Sequence, residues 1–413
     1  MAKRKNKPVF TGLEKTSVSS LSCIFFFRMF GLFLVIPIFS LLALDLEGAT
    51  PMLIGFAFGG YALTQAVLQI PFGIWSDHIG RKPVIAFGLV LFILGSAMGA
   101  FVDNIYWMIV ARLLQGAGAI SSAVFALIAD LTRPEVRARA NAGLGASIGL
   151  AFGTAFLAAP FLGHWIGLSG IFALITAMAS ISLIILFVWV PTPEKTTPSA
   201  ETWSMIKTVL HMPVLLKIDF GAFVCTMGLS ATFFITPLVL FEHGFEKSDL
   251  WKIYLPMLLL GGITMVLAAI FAETKNRFRE VMISGAGILL LSFFLSWTGR
   301  ELNYFPLYIG ALFFFFMGFN VFEPIFPSLL TRMTTPDTKG TASGIYSFSH
   351  YMGNFAGAVL AGLFYHNYPS FLFLFLIGTA SLFFYLTLTF PNPEKKAAPE
   401  EGQGNIAVNQ SLS

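Results

Sequence analysis

Long, uninterrupted apolar runs restrict what this chain of 413 residues can fold into. Segments such as 52–75, 83–102, 251–272 and 368–390 are each long enough to cross about 30 Å of hydrocarbon at 1.5 Å per residue. Hydrophobic residues make up 56% of the chain and charged residues 11%, more apolar surface than a soluble fold can bury. A barrel would show short alternating segments instead. We therefore predict an all-α polytopic membrane protein.

Twelve spans are predicted from these runs, arranged as two pseudo-symmetric six-helix bundles. They cover residues 18–44, 52–76, 83–102, 105–130, 138–163, 168–190, 214–241, 251–272, 280–299, 304–331, 339–363 and 368–390. The predicted domains are a cytoplasmic N-terminal segment (1–17), an N-terminal bundle (18–190), a cytoplasmic linker (191–213), a C-terminal bundle (214–390) and a disordered cytoplasmic tail (391–413). The polar linker is compatible with a short interfacial helix and equally with a solvated connection.

The distribution of basic residues sets the orientation of the spans. Of the 25 lysines and arginines, twenty fall on the side of the N-terminus, three fall on the other side and two lie within spans. This asymmetry follows the positive-inside rule and predicts that both termini are cytoplasmic. The net charge of +4 therefore orients the protein and does not indicate a nucleic-acid partner.

The two halves of the sequence resemble each other after a shift of about 200 residues. The matching positions are Pro37 with Pro237, Gly116 with Gly318, Asp77 with Glu273, and Arg81 with Arg277. Each match is weak alone, but together they indicate parallel six-helix repeats with a site between them.

A charged island, GIWSDHIGRKP, separates the second and third spans. Its spacing, with Gly73, Asp77, Gly80, Arg81 and Lys82, resembles the signature loop of the major facilitator superfamily. That resemblance implies a conformational latch, in which the carboxylate meets the first turn of span 11.

The remaining members of the expected latch lie on other spans. Span 11 begins near Gly340, where free N–H groups favour an anion. Asp130, at the inner end of span 4, is the natural partner for Arg81. The alternative is a loop that merely orients the protein.

Span 4 reads IVARLLQGAG and resembles the second signature of the superfamily through Arg112 and Gln115. An arginine inside a span is costly, so it usually faces a partner or water. A role in proton coupling and a snorkelling arginine near the span end are equally compatible with its position.

Span 5 carries glycines at four-residue intervals, which favour close helix packing. The predicted packing residues are Gly145, Gly149, Gly153 and Pro160. The drug/proton antiporters of the superfamily carry Gly-Pro in this span, and here Ala159 replaces that glycine. The departure weakens the antiporter assignment.

Span 1 contains RMFGLFLVIP, which resembles the corresponding motif of the drug/proton antiporter branch, and span 10 contains Glu323 within FNVFEPIFP. An acid in hydrocarbon is expected to bind and release protons. In this fold spans 1, 4, 7 and 10 line the cavity. The predicted proton or substrate residues are Arg28, Arg112, Gln115, Glu323, Asn320, His350, Tyr61 and Gln65. For Glu323 the alternative is a structural partner of Arg28; for Tyr61 and Gln65 it is helix contact.

These features predict a proton-coupled secondary transporter of the bacterial inner membrane that exports lipophilic or weakly cationic compounds by antiport. It is expected to be a monomer in contact with membrane lipids, without enzymatic activity, metal or organic cofactor, the proton being the coupling ion. No nucleotide-binding loop of the GxxxxGK[ST] type is present in the sequence. The alternatives are a proton symporter for a small metabolite and a non-transporting receptor or scaffold.

Overall fold

The computed structural model describes residues 9–193, 202–335 and 338–391, with side chains from 206 onward in the second range. This part of the chain is almost entirely helical. Its helices are α1 (Gly12–Val35), α2 (Phe39–Leu42), α3 (Pro51–His78), α4 (Arg81–Phe101), α5 (Ile105–Gly116), α6 (Ser121–Leu131), α7 (Pro134–Trp189), α8 (Thr202–Leu210), α9 (Pro213–Glu242), α10 (Trp251–Lys275), α11 (Phe278–Glu301), α12 (Phe305–Met333), α13 (Lys339–Phe364) and α14 (Pro369–Leu388).

The helix lengths confirm a multi-pass membrane protein. Within the described ranges, ten segments are long and apolar enough to cross a membrane. One of them, α7, has 56 residues, or about 84 Å at 1.5 Å per residue, and is long enough for two crossings. The more polar α13 has 26 residues and is also long enough. With these additions the helices account for the twelve predicted crossings.

Proline and glycine break two of the predicted spans and separate two others. Span 1 ends at Val35, just before Pro37, and resumes as α2. Span 4 is interrupted between α5 and α6, where the non-helical turn leaves the Gly118 carbonyl free to accept other hydrogen bonds. In α7, Gly167 adopts φ 62° and ψ −169°, which ends one crossing and begins the next.

Helix α1 begins at Gly12 and not at residue 18, because a capping box fixes its first turn. The Glu14 amide donates to Thr11 Oγ1 at 3.2 Å, and the Thr11 amide donates to Glu14 Oε2 at 2.8 Å. Glu14 Oε1 also accepts from the backbone N and Nε of Arg133, at 3.0 and 2.8 Å. The ion pair fastens the start of α1 to the turn before α7.

The membrane protein has two faces, named here by their helix ends. Face A contains the ends at residues 9–12, 77–81, 131–134 and 338–340, and face B contains those at 43–51, 101–105, 242–251 and 301–305. The N half comprises α1 to α7 and the C half α9 to α14. Helix α8 packs on α9 and α13, so the linker residues from Thr202 to Leu210 do form a short helix. The predicted domain boundaries stay a prediction, and the tail beyond residue 391 lies outside the described residues.

The two halves pack most closely along α3 and α13. Small residues permit this approach: a Cβ on Gly55 would lie 2.7 Å from the Ala358 carbonyl oxygen, and one on Gly362 would lie 2.5 Å from that of Pro51. The small-residue seam therefore fixes the neighbouring position of these two helices.

At face B the halves are also joined by polar and aromatic contacts. Tyr254 Oη donates to the Pro37 carbonyl oxygen at 2.9 Å, and Ser40 Oγ donates to that of Phe234 at 2.7 Å. Aromatic rings pack edge to face around these bonds in the pairs Phe58–Phe234, Phe156–Phe233 and Phe156–Tyr254. The set of residues is called the face-B closure below.

Candidate functional site

Glu323 is an exposed carboxylate near the middle of a membrane-spanning helix. It lies about ten residues, or roughly 15 Å, from the end of α12 at Met333. Among its neighbours along α12, Val321, Phe322 and Ile325 are buried, while Glu323 and Pro327 are exposed. A carboxylate that is exposed at this depth faces water or a ligand and not hydrocarbon, because a bare charge there is too costly.

Three helices of the C half surround this carboxylate with aromatic and weakly polar groups. A cavity of about 190 Å³ opens beside it, between α9, α12 and α13. It is lined by Ala222, Cys225, Thr226, Phe319, Phe322, Glu323, Phe326, Tyr346 and His350. This set is called the Glu323 pocket. It resembles ligand sites in general, where apolar walls carry a few polar groups that fix orientation.

The C half holds a second acid within a span, and no cation of the described residues forms an ion pair with either acid. Asp219 on α9 is 6% exposed, and its Oδ1 has no hydrogen-bond partner among the described residues. Tyr346 interacts electrostatically with both Glu323 and Asp219. No lysine, arginine or histidine of the described residues forms an ion pair with Glu323. The two acids are thus negative charges that a proton or a cation from outside the chain would neutralise.

The N half contains a buried cation. Arg28 on α1 is 1% exposed and has no acidic partner among the described residues. Its Nη2 donates to Gln65 Oε1 at 2.9 Å and to the Gly118 carbonyl oxygen at 2.6 Å, and its Nη1 donates to Ser121 Oγ at 3.3 Å. Tyr351, from the C half, interacts with both Ser121 and Arg28. Arg28 therefore lies where the two halves meet, and its Nε has no hydrogen-bond partner among the described residues.

Arg112 on α5 is also enclosed within the N half, at 2% exposure. Its Nε donates to the Ala57 carbonyl oxygen at 3.3 Å, and its Nη1 donates to Gln115 Oε1. Gln115 in turn donates to Ser96 Oγ at 2.9 Å. The guanidinium lies over the ring of Tyr61, 5.2 Å from its centroid. The Arg112–Gln115 pair therefore holds α5 against α3 and α4.

Several residues predicted to line the cavity do not do so in this structure. Arg112, Gln115, Tyr61 and Gln65 are buried inside the N half, with Gln65 donating to Gln69 Oε1 at 2.9 Å. Asn320 is buried against α10 and donates to the Phe316 carbonyl oxygen at 2.8 Å. Arg112 and Gln115 bond to neighbouring helices, Gln65 and Asn320 donate within their own helices, and Tyr61 Oη has no hydrogen-bond partner among the described residues. Glu323 and His350, by contrast, do share one pocket.

The charged island forms a network inside the N half. Arg81 pairs with Asp77 and with Asp130, whose Oδ2 lies 3.2 Å from Arg81 Nε, and its Nη1 donates to Ser76 Oγ at 2.8 Å. Gly80 adopts φ 110°, a conformation that a residue with a side chain rarely takes. The Arg81–Asp130 pair is thus placed as expected.

Two other expectations for the island differ from the structure. Lys82 Nζ donates to the Val190 carbonyl oxygen at 2.6 Å, so it caps the end of α7. Gly340 is exposed, and a Cβ built on it meets no described atom within 4 Å. The predicted contact between Asp77 and the start of α13 is therefore absent among the described residues, because face A is not closed here as face B is. A Cβ on Gly73 would lie 3.5 Å from Ser122 Oγ, an ordinary contact.

The predicted packing role of the span-5 glycines was wrong for this structure. A Cβ on Gly145, Gly149 or Gly153 would meet no described atom within 4 Å, so no described helix packs closely against these positions. Pro160, further along α7, is buried as expected. A four-residue spacing places glycines on one face but does not decide whether a neighbour covers that face.

Sequence reasoning missed Tyr346 and Cys225, which line the Glu323 pocket, and Tyr351, which interacts with Arg28 and Ser121. Tyr346 and His350 are four residues apart on α13, a spacing that places both on one helix face. That pattern was a usable signal. Cys225 gave none, because nothing in an apolar run distinguishes a pocket residue from a lipid-facing one.

The comparisons with known proteins agree on the family. The family model of the Major Facilitator Superfamily matches residues 21–353 and 279–411. The inner membrane transport protein YajR of Escherichia coli (strain K12) is 36% identical over 353 residues, which cover 84% of this chain and 77% of YajR. The quinolone resistance protein NorA of Staphylococcus aureus (strain MRSA252) is 25% identical, over 82% of this chain and 87% of NorA.

Solved structures show the same fold at low sequence identity. A bacterial homolog of the human lysosomal transporter Spinster, in an inward-facing and unoccupied conformation, aligns with a TM-score of 0.76 and 14% identity over 94% of this chain and all of that one. The D-xylose–proton symporter aligns with a TM-score of 0.72 and 16% identity over 92% and 98%. This chain is a multi-pass, non-enzymatic membrane transporter that belongs to the Major Facilitator Superfamily.

Proposed function

We propose that the protein is a proton-driven antiporter that exports lipophilic cations through the bacterial inner membrane, with face A toward the cytoplasm. One observation carries the proposal: the Glu323 carboxylate is exposed in an aromatic pocket at mid-membrane, and no cation of the described residues pairs with it. The excess of lysine and arginine on the side of face A supports the orientation.

A single accessible carboxylate explains why proton and substrate would exchange. Either a proton or a cationic substrate neutralises Glu323, and binding of one disfavours the other. Carrying one elementary charge across 100 mV supplies about 2.3 kcal/mol. Since 1.4 kcal/mol is a factor of ten, one proton shifts the balance of two conformations by roughly fifty-fold.

The contacts of the two arginines argue against the main alternative, a symporter for an anionic metabolite. Such a carrier would present a cation to its substrate. Arg28 and Arg112 are instead buried, and their guanidinium groups donate to amide, carbonyl and hydroxyl oxygens of the N half. A receptor or scaffold that moves nothing would have no need of an accessible acid at this depth.

Transport in liposomes tests this function. We expect ethidium to accumulate in vesicles containing the purified protein when the lumen is acidic, and Glu323→Gln to reduce the accumulation to that of protein-free vesicles. Glu323→Asp, which keeps the carboxylate, should retain part of the activity. Glu280→Gln is the matched control, because Glu280 is an exposed acid in the first turn of α11.

The same assay separates the alternatives. Accumulation of ethidium driven by an alkaline lumen would indicate symport. Accumulation that does not depend on the pH gradient would indicate uncoupled movement. A Glu323→Gln protein that transports as fast as the parent, with the same dependence on the gradient, would contradict the proposal.

A further inference from the structure

A second cavity lies in the C half at face B, away from the Glu323 pocket. Its residue Phe305 precedes Glu323 by about 18 positions on α12, or roughly 27 Å along the helix. Its empty volume of about 330 Å³ includes space open to the outside, and about 20 Å³ of it admits a water-sized group, so it is a shallow cleft. It is lined by Val239, His243, Gly299, Arg300, Asn303, Phe305, Tyr308, Tyr365 and Phe373. This set is called the Arg300 cleft.

The floor of the Arg300 cleft is aromatic. Tyr308, Tyr365 and Phe373 come from three different helices, α12, the end of α13 and α14, and all three are buried. Gly299 leaves room beside them, since a Cβ there would lie 2.9 Å from the Tyr308 amide nitrogen. The floor therefore offers a preformed apolar surface.

Arg300 stands at the mouth of the cleft with donors to spare. Its guanidinium lies over the Tyr365 ring, 5.2 Å from the centroid, which fixes its position. Its polar contacts are long: 3.4 Å from Nη1 to Tyr365 Oη and 3.9 Å from Nη1 to Glu242 Oε2. A guanidinium has five N–H donors, so several stay available to an anion such as a phosphate.

Two neutral polar groups complete the mouth. The His243 ring stacks on Phe305 at 4.2 Å, and its Nδ1 donates to the Val239 carbonyl oxygen at 2.9 Å, which leaves Nε2 free to face a ligand. Asn303 holds a left-handed backbone with φ 48°, which turns the chain so that its amide borders the cleft. Both side chains can bond to a headgroup oxygen.

The surroundings of the cleft match the level of lipid headgroups. Exposed aromatic and aliphatic side chains flank it at the helix ends, namely Phe241, Leu302, Tyr304, Tyr368 and Phe371. Aromatic side chains concentrate where the hydrocarbon of a membrane meets water. A lipid bound in the cleft would pack its hydrocarbon chains against these side chains. A soluble metabolite has no such chains to pack there.

We propose that the Arg300 cleft binds the headgroup of a zwitterionic phospholipid, with the phosphate at Arg300 and the ammonium at Glu242. The charges carry the specificity. Arg300 and Glu242 lie close together and are both partly exposed, so a headgroup with one charge of each sign satisfies both, whereas a purely anionic headgroup leaves Glu242 unpaired.

Native mass spectrometry of the full chain in detergent tests the proposal. Protein incubated with phosphatidylethanolamine is expected to retain about tenfold more lipid than Arg300→Gln, the usual loss for a hydrogen bond to a charge. Asn303→Gly keeps the left-handed backbone and removes only the amide, so it should lower retention without unfolding the turn. Glu242→Gln should remove the preference for phosphatidylethanolamine over phosphatidylglycerol.

Lys252→Gln is the matched control, because Lys252 is another exposed cation at face B that pairs with Asp249 at 2.7 Å, outside the cleft. Its lipid retention should equal that of the parent. The proposal fails if Arg300→Gln retains as much lipid as the parent, or if Lys252→Gln loses as much. It also fails if soluble phosphoethanolamine or inorganic phosphate displaces the bound lipid at equal concentration, since the apolar floor would then contribute nothing.

Discussion

At the scale of single residues, several charges at face A are neutralised by partners within the N half. Arg81 pairs with Asp77 and Asp130, and Glu14 binds the backbone and side chain of Arg133. Glu323 at mid-membrane differs from these acids, because no cation of the described residues forms an ion pair with it. An ionisable residue without a partner at that depth usually marks a functional site.

Asp77→Asn tests the latch at this scale. The expected result is impaired transport with thermal stability close to that of the parent, because Arg81 keeps Asp130 and Ser76 as partners. The transport assay in liposomes and the unfolding midpoint in detergent measure the two effects. Full transport activity in the variant would exclude a latch in which Asp77 meets α13 when face A closes.

At the scale of helices, glycines matter only where a neighbour approaches. A Cβ on Gly116 would lie 2.1 Å from the Tyr61 carbonyl oxygen and 2.3 Å from Thr64 Oγ1, whereas one on Gly149 would meet nothing within 4 Å. Both glycines belong to recognisable sequence patterns. Gly116 is required because α3 packs against α5 at that position.

The pair Gly116→Ala and Gly149→Ala measures this difference. We expect Gly116→Ala to lower the free energy of unfolding by about 1 to 3 kcal/mol, because backbone must move to admit the methyl group. Gly149→Ala should be neutral or slightly stabilising, since alanine is the better helix former. Unfolding midpoints in detergent compare the two, and equal midpoints would contradict the packing described here.

The last helix of each half ends at a carbonyl oxygen that accepts from a lysine of another helix. At the end of α7, Lys82 Nζ donates to the Val190 carbonyl oxygen. At the end of α14, Lys217 Nζ donates to the Thr389 carbonyl oxygen at 3.0 Å. Cations at helix C-termini stabilise the negative end of the dipole. Each half thus holds the end of its last helix with a lysine from another helix.

At the scale of the whole molecule, the two halves are joined at face B and separate at face A. The face-B closure combines cross-half hydrogen bonds with edge-to-face aromatic pairs, while a Cβ on Gly340 at face A would meet no described atom within 4 Å. Alternating access requires this closure to open. Its bonds therefore help set the balance between the two conformations.

Tyr254→Phe weakens the closure by one hydrogen bond and keeps the ring. A bond of this kind contributes about 0.5 to 1.5 kcal/mol, so the population open at face B should rise by roughly two- to tenfold. Spin labels at positions 45 and 247, whose native side chains lie 3.7 Å apart, report the opening as a longer distance when Cys23 and Cys225 are replaced by alanine.

Tyr304→Phe serves as the control for that measurement, because Tyr304 is exposed at the same face and outside the closure. It should leave the distance distribution unchanged. An unchanged distribution in Tyr254→Phe would show that the Tyr254–Pro37 bond does not influence the conformational balance.

The sequence by itself determined the crossings, the family and the pairing of Arg81 with Asp130. The length of an apolar run and the spacing of glycines and charges in the island are local properties. They can be read from the sequence because hydrocarbon thickness and backbone conformation act on each segment separately. Even here the breaks at residues 36–38 and 117–120 were missed, because single prolines and glycines interrupt a helix without altering its hydropathy.

Only the tertiary structure decided which polar side chains face a pocket and which bond to a neighbouring helix. Arg112, Gln115, Asn320 and Glu323 look alike in sequence, as polar residues within apolar spans. The first three are buried with partners, and Glu323 is exposed beside Tyr346 and His350. That outcome depends on how neighbouring helices are rotated against one another, a property of the assembled bundle that no single segment carries.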